Sequence, residues 1–156
     1  MFVSLGCDKN LVDTEMMMGE LSEAGHEIVS DERDADIVVV NTCSFISDAK
    51  EESINTLISM GELKNAGSVK GIIAAGCLAQ RYSEDIRKDL PEVDEIVGTM
   101  AIDEIVAAVD RISSGLKEDF IKPIDGPLVC GKPRIVSTGG HFAYLKIAEG
   151  CDKRCT

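Results

Sequence analysis

Short apolar runs alternate along the chain with stretches in which apolar residues recur every three or four positions. The first pattern marks strands and the second helices, and their alternation predicts a parallel sheet wrapped by helices. Strands are predicted at residues 2–5, 27–29, 36–40, 71–75 and 95–97. Ile37-Val38-Val39-Val40 and Ile72-Ile73-Ala74-Ala75 are continuously apolar, as expected of central strands covered on both faces. Between them, Leu11, Val12, Met16, Met18 and Leu21 give one helix an apolar face, closed by Gly25. A helix at about 48–60, with Ser47 as its N-cap, is expected to bury Ile54, Leu57 and Ile58 and to leave Lys50, Glu51 and Glu52 in water. A third occupies about 83–90 and stops at Pro91. The last, about 102–112, places Ile102, Ile105, Val106, Val109 and Ile112 on one stripe and ends near Gly115. The expected fold class is α/β: an open, mostly parallel five-stranded sheet with helices on both faces, Rossmann-like or flavodoxin-like.

Beyond residue 115 the texture changes. Residues 116–140 carry three prolines and four glycines with little periodicity, the composition of a surface linker. Residues 141–147 then read as a new strand, which cannot fold alone. The expected organisation is an α/β domain at 1–115, a linker at 116–140, and at 141–156 the truncated start of a further domain, its strand disordered or borrowed by a neighbour.

Composition narrows the function classes. The formal charge of −12 repels a phosphate backbone and favours a basic protein partner, so nucleic acid is not expected to bind this domain. No apolar run is long enough to cross a bilayer, and the start lacks the basic flank and apolar run of a signal peptide. The chain is therefore expected to be cytoplasmic, with no membrane partner. In that reducing setting six cysteines point to metal or catalysis instead of disulfides. No phosphate-cradling glycine loop and no Ser-His-Asp arrangement accompanies them.

Cys7, Cys43 and Cys77 each follow a predicted strand and precede a predicted helix. In an open parallel sheet all such turns lie along the carboxyl edge, where ligands bind, so three thiols 36 and 34 residues apart are expected to converge. Helix N-termini would lower their pKa values toward the metal-binding thiolate. Each cysteine taken singly is more often a small core hydrophobe. Three thiolates without a fourth protein ligand suit a four-iron cluster with one iron left open, and zinc with a water in the fourth position is the competitor. His26 and His141 are read as structural or exposed, and Cys130 as a free thiol without a role. Cys151 and Cys155 form a terminal Cys-x-x-x-Cys, a weak signal alone. A zinc-stabilised binding module and a thiol-redox domain pairing Cys43 with Cys77 stand as alternatives.

Four stretches then carry a resemblance: residues 4–15, from Ser4 through Gly6-Cys7-Asp8-Lys9-Asn10 to Glu15; Asn41-Thr42-Cys43-Ser44-Phe45-Ile46; Ala75-Gly76-Cys77-Leu78; and residues 143–156 with Glu149-Gly150-Cys151-Asp152-Lys153-Arg154-Cys155-Thr156. In that order they resemble the amino-terminal domain and the first residues of the radical domain of the radical S-adenosylmethionine methylthiotransferases. The residues around Cys7 and Cys43 look like the branch that methylthiolates an aspartate of the twelfth small-subunit ribosomal protein; the branch acting on tRNA adenosine is the alternative. The resemblance implies that Cys7, Cys43 and Cys77 bind an auxiliary 4Fe-4S cluster. It also implies that Cys151 and Cys155 are the first two ligands of a radical 4Fe-4S cluster, whose third would fall at position 158, beyond the last residue here. The fragment alone is accordingly expected to be inactive. The whole enzyme would use two clusters and S-adenosylmethionine to generate a 5′-deoxyadenosyl radical, which removes a hydrogen from the target's β-carbon, and to deliver a methylthio group there. Its substrate would be a basic ribosomal protein.

Overall fold

The computed structural model describes residues 1–115, 117, 119–126 and 129–150. Among them, five parallel strands form one sheet in the order β1 (Phe2–Ser4), β2 (Ile37–Thr42), β3 (Gly71–Ala75), β4 (Glu95–Val97) and β5 (Asp119–Phe120). The two continuously apolar runs are internal strands, as their pattern requires. Their side chains divide by the two-residue period of a strand. Val38, Val40, Ile72, Ala74 and Ile96 enter one core, and Val39, Ile73, Ala75 and Val97 the other.

Helices cover both faces. On the first core lie α2 (Ser47–Asn65), α3 (Gly76–Arg81) and α4 (Ser83–Asp89), through Leu57, Leu78, Ala79 and Ile86. On the second lie α1 (Asp8–Glu23) and α5 (Ile105–Ser114), through Met17, Leu21, Ile105, Ala108 and Val109, with a 3-10 turn at Ile102–Glu104 leading into α5. Gly115, at φ 68°, caps α5 in the left-handed region that a residue without Cβ enters freely. No helix of the described residues is long and apolar enough to cross a membrane.

Several expectations are corrected. Residues 27–29 form no strand. Ile28 packs against one core and Val29 against the other, so this stretch rounds the β1 edge and carries the chain from one face to the opposite one. The fifth strand comes instead from the expected linker, where Asp119 and Phe120 pair with Ile96 and Val97. Third, α2 does not bury Ile54 and Ile58, which are 41% and 44% exposed; of the three expected residues only Leu57, at 1%, is buried. Its inward face is Ser53-Leu57-Gly61, at i, i+4 and i+8. The small residues admit the helix close to the sheet, and a Cβ on Gly61 would meet Glu92 Cγ at 3.3 Å. Its N-cap is Ile46 and not Ser47, without a side-chain cap. The reassigned face makes a direct prediction. Leu57→Ala should cost about 2–5 kcal/mol in urea unfolding, whereas Ile54→Ala and Ile58→Ala should stay within about 0.5 kcal/mol.

Residues 132–149 form no strand; they lie along α1 as a strap. Gly19 makes room for it, since a Cβ there would sit 2.4 Å from Pro133 O. Arg134 Nη2 donates to Glu15 Oε2 at 2.5 Å, while Ser137 N and Oγ donate to Glu15 Oε1 at 2.6 and 2.8 Å. Lys132 pairs with Glu20 at 3.2 Å, and Lys146 with Asp13 and Glu149. Burial works against the charge on Lys146, but the two carboxylates outweigh it and raise its pKa.

Candidate functional site

Backbone pairing sets the site. Ser4, Asn41 and Ala75 are register partners on three neighbouring strands, so the ends of β1, β2 and β3 are level, and Thr42 and Gly76 form one further bridge. Cys7 lies three residues beyond that row, and Cys43 and Cys77 two residues beyond it. With strands about 4.8 Å apart, the three turns share a rim about 10 Å across. The sulfurs are close enough that Cys43 and Cys7 both act on the charge of Cys77.

Two glycines permit this crowding. Gly6 turns at φ 90°, and a Cβ on it would lie 2.6 Å from Cys43 Cβ and 2.8 Å from its Sγ. Gly76 turns at φ 88°, and a Cβ there would lie 2.1 Å from Asn41 Oδ1 and 2.7 Å from Thr42 O. Both positions need the left-handed backbone and the missing side chain at once.

Beneath the thiols lies a buried polar network. Asn10 Nδ2 donates to Leu5 O at 2.9 Å and Thr42 O at 3.1 Å, and the Cys77 thiol donates to Asn10 Oδ1 at 3.7 Å. Asn41 Nδ2 donates to Asn10 O and Thr14 Oγ1 at 2.8 and 3.0 Å, and Thr14 Oγ1 in turn donates to Ser4 Oγ. Thr42 Oγ1 donates to Ala75 O at 2.5 Å. Cys43 N donates to Ser53 Oγ at 2.9 Å, which pins the second turn to α2. Sequence reasoning missed Asn10, Asn41, Thr42 and Ser53. The available signal was the pair Asn41-Thr42 closing an apolar strand, since polar groups at that depth require partners.

The three thiols differ in access: Cys7 is exposed, Cys77 partly covered and Cys43 buried. The expected lowering of thiol pKa does not hold at Cys77. Burial pushes its pKa up, and the fields of Cys43, Cys7 and Asp13 push the same way, with Lys9 opposing them weakly. Helix α3 has only six residues, too short a run of peptide dipoles to offset this. A thiolate at Cys77 is thus disfavoured unless a cation lies beside it. The donor set and the two cradling glycines fit a thiolate-ligated cluster in this respect.

Among the described residues no three His, Cys, Asp or Glu side chains surround one point closely enough to grip a single ion. His26 lies 3.9 Å from Asp110 and His141 Nδ1 lies 3.0 Å from Gly139 O. Cys130 is a free, exposed thiol. Cys151 and Cys155 lie outside the described residues.

Residues 1–98 match the family described as "Uncharacterized protein family UPF0004". Three proteins described as ribosomal protein uS12 methylthiotransferase RimO are similar along 99% of this chain. That of Lachnoclostridium phytofermentans is 53% identical over 155 residues, and this chain covers 35% of it. Those of Solibacter usitatus and Pelotomaculum thermopropionicum are each 50% identical, with 32% and 35% of their lengths covered. The chain therefore spans about a third of the length of the curated relatives it matches.

Proposed function

Since the chain belongs to the UPF0004 family, we propose that it is the amino-terminal, cluster-carrying part of a radical S-adenosylmethionine methylthiotransferase. In the whole protein an aspartate β-hydrogen of the basic ribosomal protein uS12 would be replaced by a methylthio group. One observation carries this reading: three cysteine turns stand side by side on level strand ends, with their backbones tied together underneath. The 46–53% identity to proteins named for uS12 methylthiolation, across nearly the whole chain, supports the choice of substrate over tRNA. The charge of −12 agrees with a basic protein partner and with a cytoplasmic setting free of membrane or nucleic-acid contact.

Cys7, Cys43 and Cys77 would hold the auxiliary 4Fe-4S cluster, each thiolate on a separate iron, so that the sulfurs need not crowd around one ion. When bound, the cluster supplies the site at which sulfur is carried or activated. The protein's own part is to hold three thiolates on one rim, to leave the Cys7 side open to the incoming sulfur and substrate, and to keep water from the Cys43 side. Cys151 and Cys155 would give two ligands to a second, radical-generating 4Fe-4S cluster of the whole protein.

Anaerobic reconstitution with ferrous iron and sulfide tests the reading. About four irons per chain are expected on the auxiliary site, lost in Cys7→Ala, Cys43→Ala or Cys77→Ala and retained in Cys130→Ala. Zinc as the sole metal taken up, or iron binding indifferent to these three substitutions, would sink it.

A further inference from the structure

We propose that Asn10 is the positioning residue that ties the three cysteine turns together: one side chain bonded to the first, second and third turn at once. Its Nδ2 spans Leu5 O, two residues before Cys7, and Thr42 O, one residue before Cys43, while its Oδ1 receives the Cys77 thiol. The inference rests on the reading of these cysteines as cluster ligands and adds to it the group that sets their spacing.

The side chain has no freedom to do otherwise. Asn10 is 3% exposed in the first turn of α1. Its carbonyl accepts from Asn41 Nδ2, which also reaches Thr14 Oγ1, so the backbone beneath it is anchored to β2. Flipping the amide would turn Oδ1 toward two carbonyl oxygens and leave both unserved in a buried place, where an unpaired polar group is costly. The amide orientation is thus fixed by Leu5 and Thr42, and Oδ1 must face the third turn. Aspartate has the same outline and lacks both donors. Its oxygen would confront the two carbonyls and push the first and second turns apart.

The test uses the 156-residue chain with Asn10→Asp and Asn10→Ala, the latter leaving space for water to serve the two carbonyls so that the folded state survives. Leu57→Ala, on the opposite face of the sheet, is the control for lost stability. In the metal-free chain at one pH, alkylation of Cys77 by iodoacetamide should quicken about tenfold in Asn10→Ala, the factor set by losing a buried hydrogen-bond partner, and should slow in Asn10→Asp, whose carboxylate disfavours the neighbouring thiolate. The Leu57→Ala control should leave the rate unchanged. After reconstitution, iron per chain should fall at least about fivefold in Asn10→Asp and remain near the unsubstituted value in Leu57→Ala. Folded Asn10 variants with unchanged alkylation and full iron loading would overturn the proposal. Should the unsubstituted chain take up no iron, the cluster reading fails by itself, and the alkylation rates still decide whether Asn10 spaces the turns.

Discussion

Gly76→Ala should lower the unfolding free energy of the metal-free chain by about 2–5 kcal/mol, a large share of a domain's usual stability. Two costs combine. At φ 88° an alanine adopts a backbone that L-residues avoid, worth about 1–2 kcal/mol. Its Cβ would also fall 2.1 Å from Asn41 Oδ1 and 2.7 Å from Thr42 O, and relieving such overpacking costs about 1–3 kcal/mol. Gly67 separates the two terms, for it turns at φ 81° with nothing within 4 Å of a Cβ. Gly67→Ala should therefore show the backbone cost alone, about 1–2 kcal/mol. Urea unfolding of both variants decides: equal losses would mean that the contact with Asn41 and Thr42 relaxes freely. Because Gly76 precedes Cys77 directly, the same substitution should also abolish iron uptake, which Gly67→Ala should not.

The second large effect concerns the strap on α1. Arg134→Met leaves the Glu15 carboxylate, 0% exposed, without its guanidinium, and breaking a buried pair costs about 3–5 kcal/mol. The strap can lift instead and let water reach Glu15, so the loss should appear as local opening and not as global unfolding. Amide hydrogen exchange across 132–149 should accelerate about 100-fold or more, while the strands stay protected. Uniform acceleration across the chain would refute this. Acid should act in the same way. Burial alone would raise the Glu15 pKa, but the Ser137 N–H and hydroxyl and the Arg134 guanidinium prevail and hold it below the ordinary carboxylate value. A carboxyl with a depressed native pKa stabilises above its unfolded value of about 4.3 and loses that contribution as pH falls through the native one. The strap should thus stay docked at neutral pH and open below about pH 4, as read from exchange or protease cleavage in this segment.

The central sheet was legible because residues 37–40 and 71–75 are apolar without interruption, a pattern that only doubly covered strands sustain. The placing of Cys7, Cys43 and Cys77 on one rim followed from the same strands. What was not legible depends on remote partners. Asn10, Asp13, Thr14 and Glu15 are polar and lie outside the apolar face expected of α1, yet all four are buried, because β1, β2 and the strap supply their bonding partners from positions up to 133 residues away. In α2 the apolar spacing of Ile54, Leu57 and Ile58 suggested a face, but Ser53 and Gly61 mark the inward one through their small size, which hydrophobicity does not record. A two-residue strand such as Asp119–Phe120 is too short for any period to show. The thiol acidity was misjudged because mutual repulsion and burial at Cys77 depend on the other two sulfurs being near. Residues 27–29 carry an apolar pair that serves two cores and joins no ladder.

The level row Ser4, Asn41 and Ala75 makes the intervals between the cysteines immaterial. An extra turn inserted at the distal end of α1 or α2 would lengthen a crossover and leave all three sulfurs in place. A single residue added between Thr42 and Cys43 would rotate one thiol out of the rim while barely changing the count. Kinship in such chains is therefore better sought by offset from strand ends than by fixed-gap cysteine patterns.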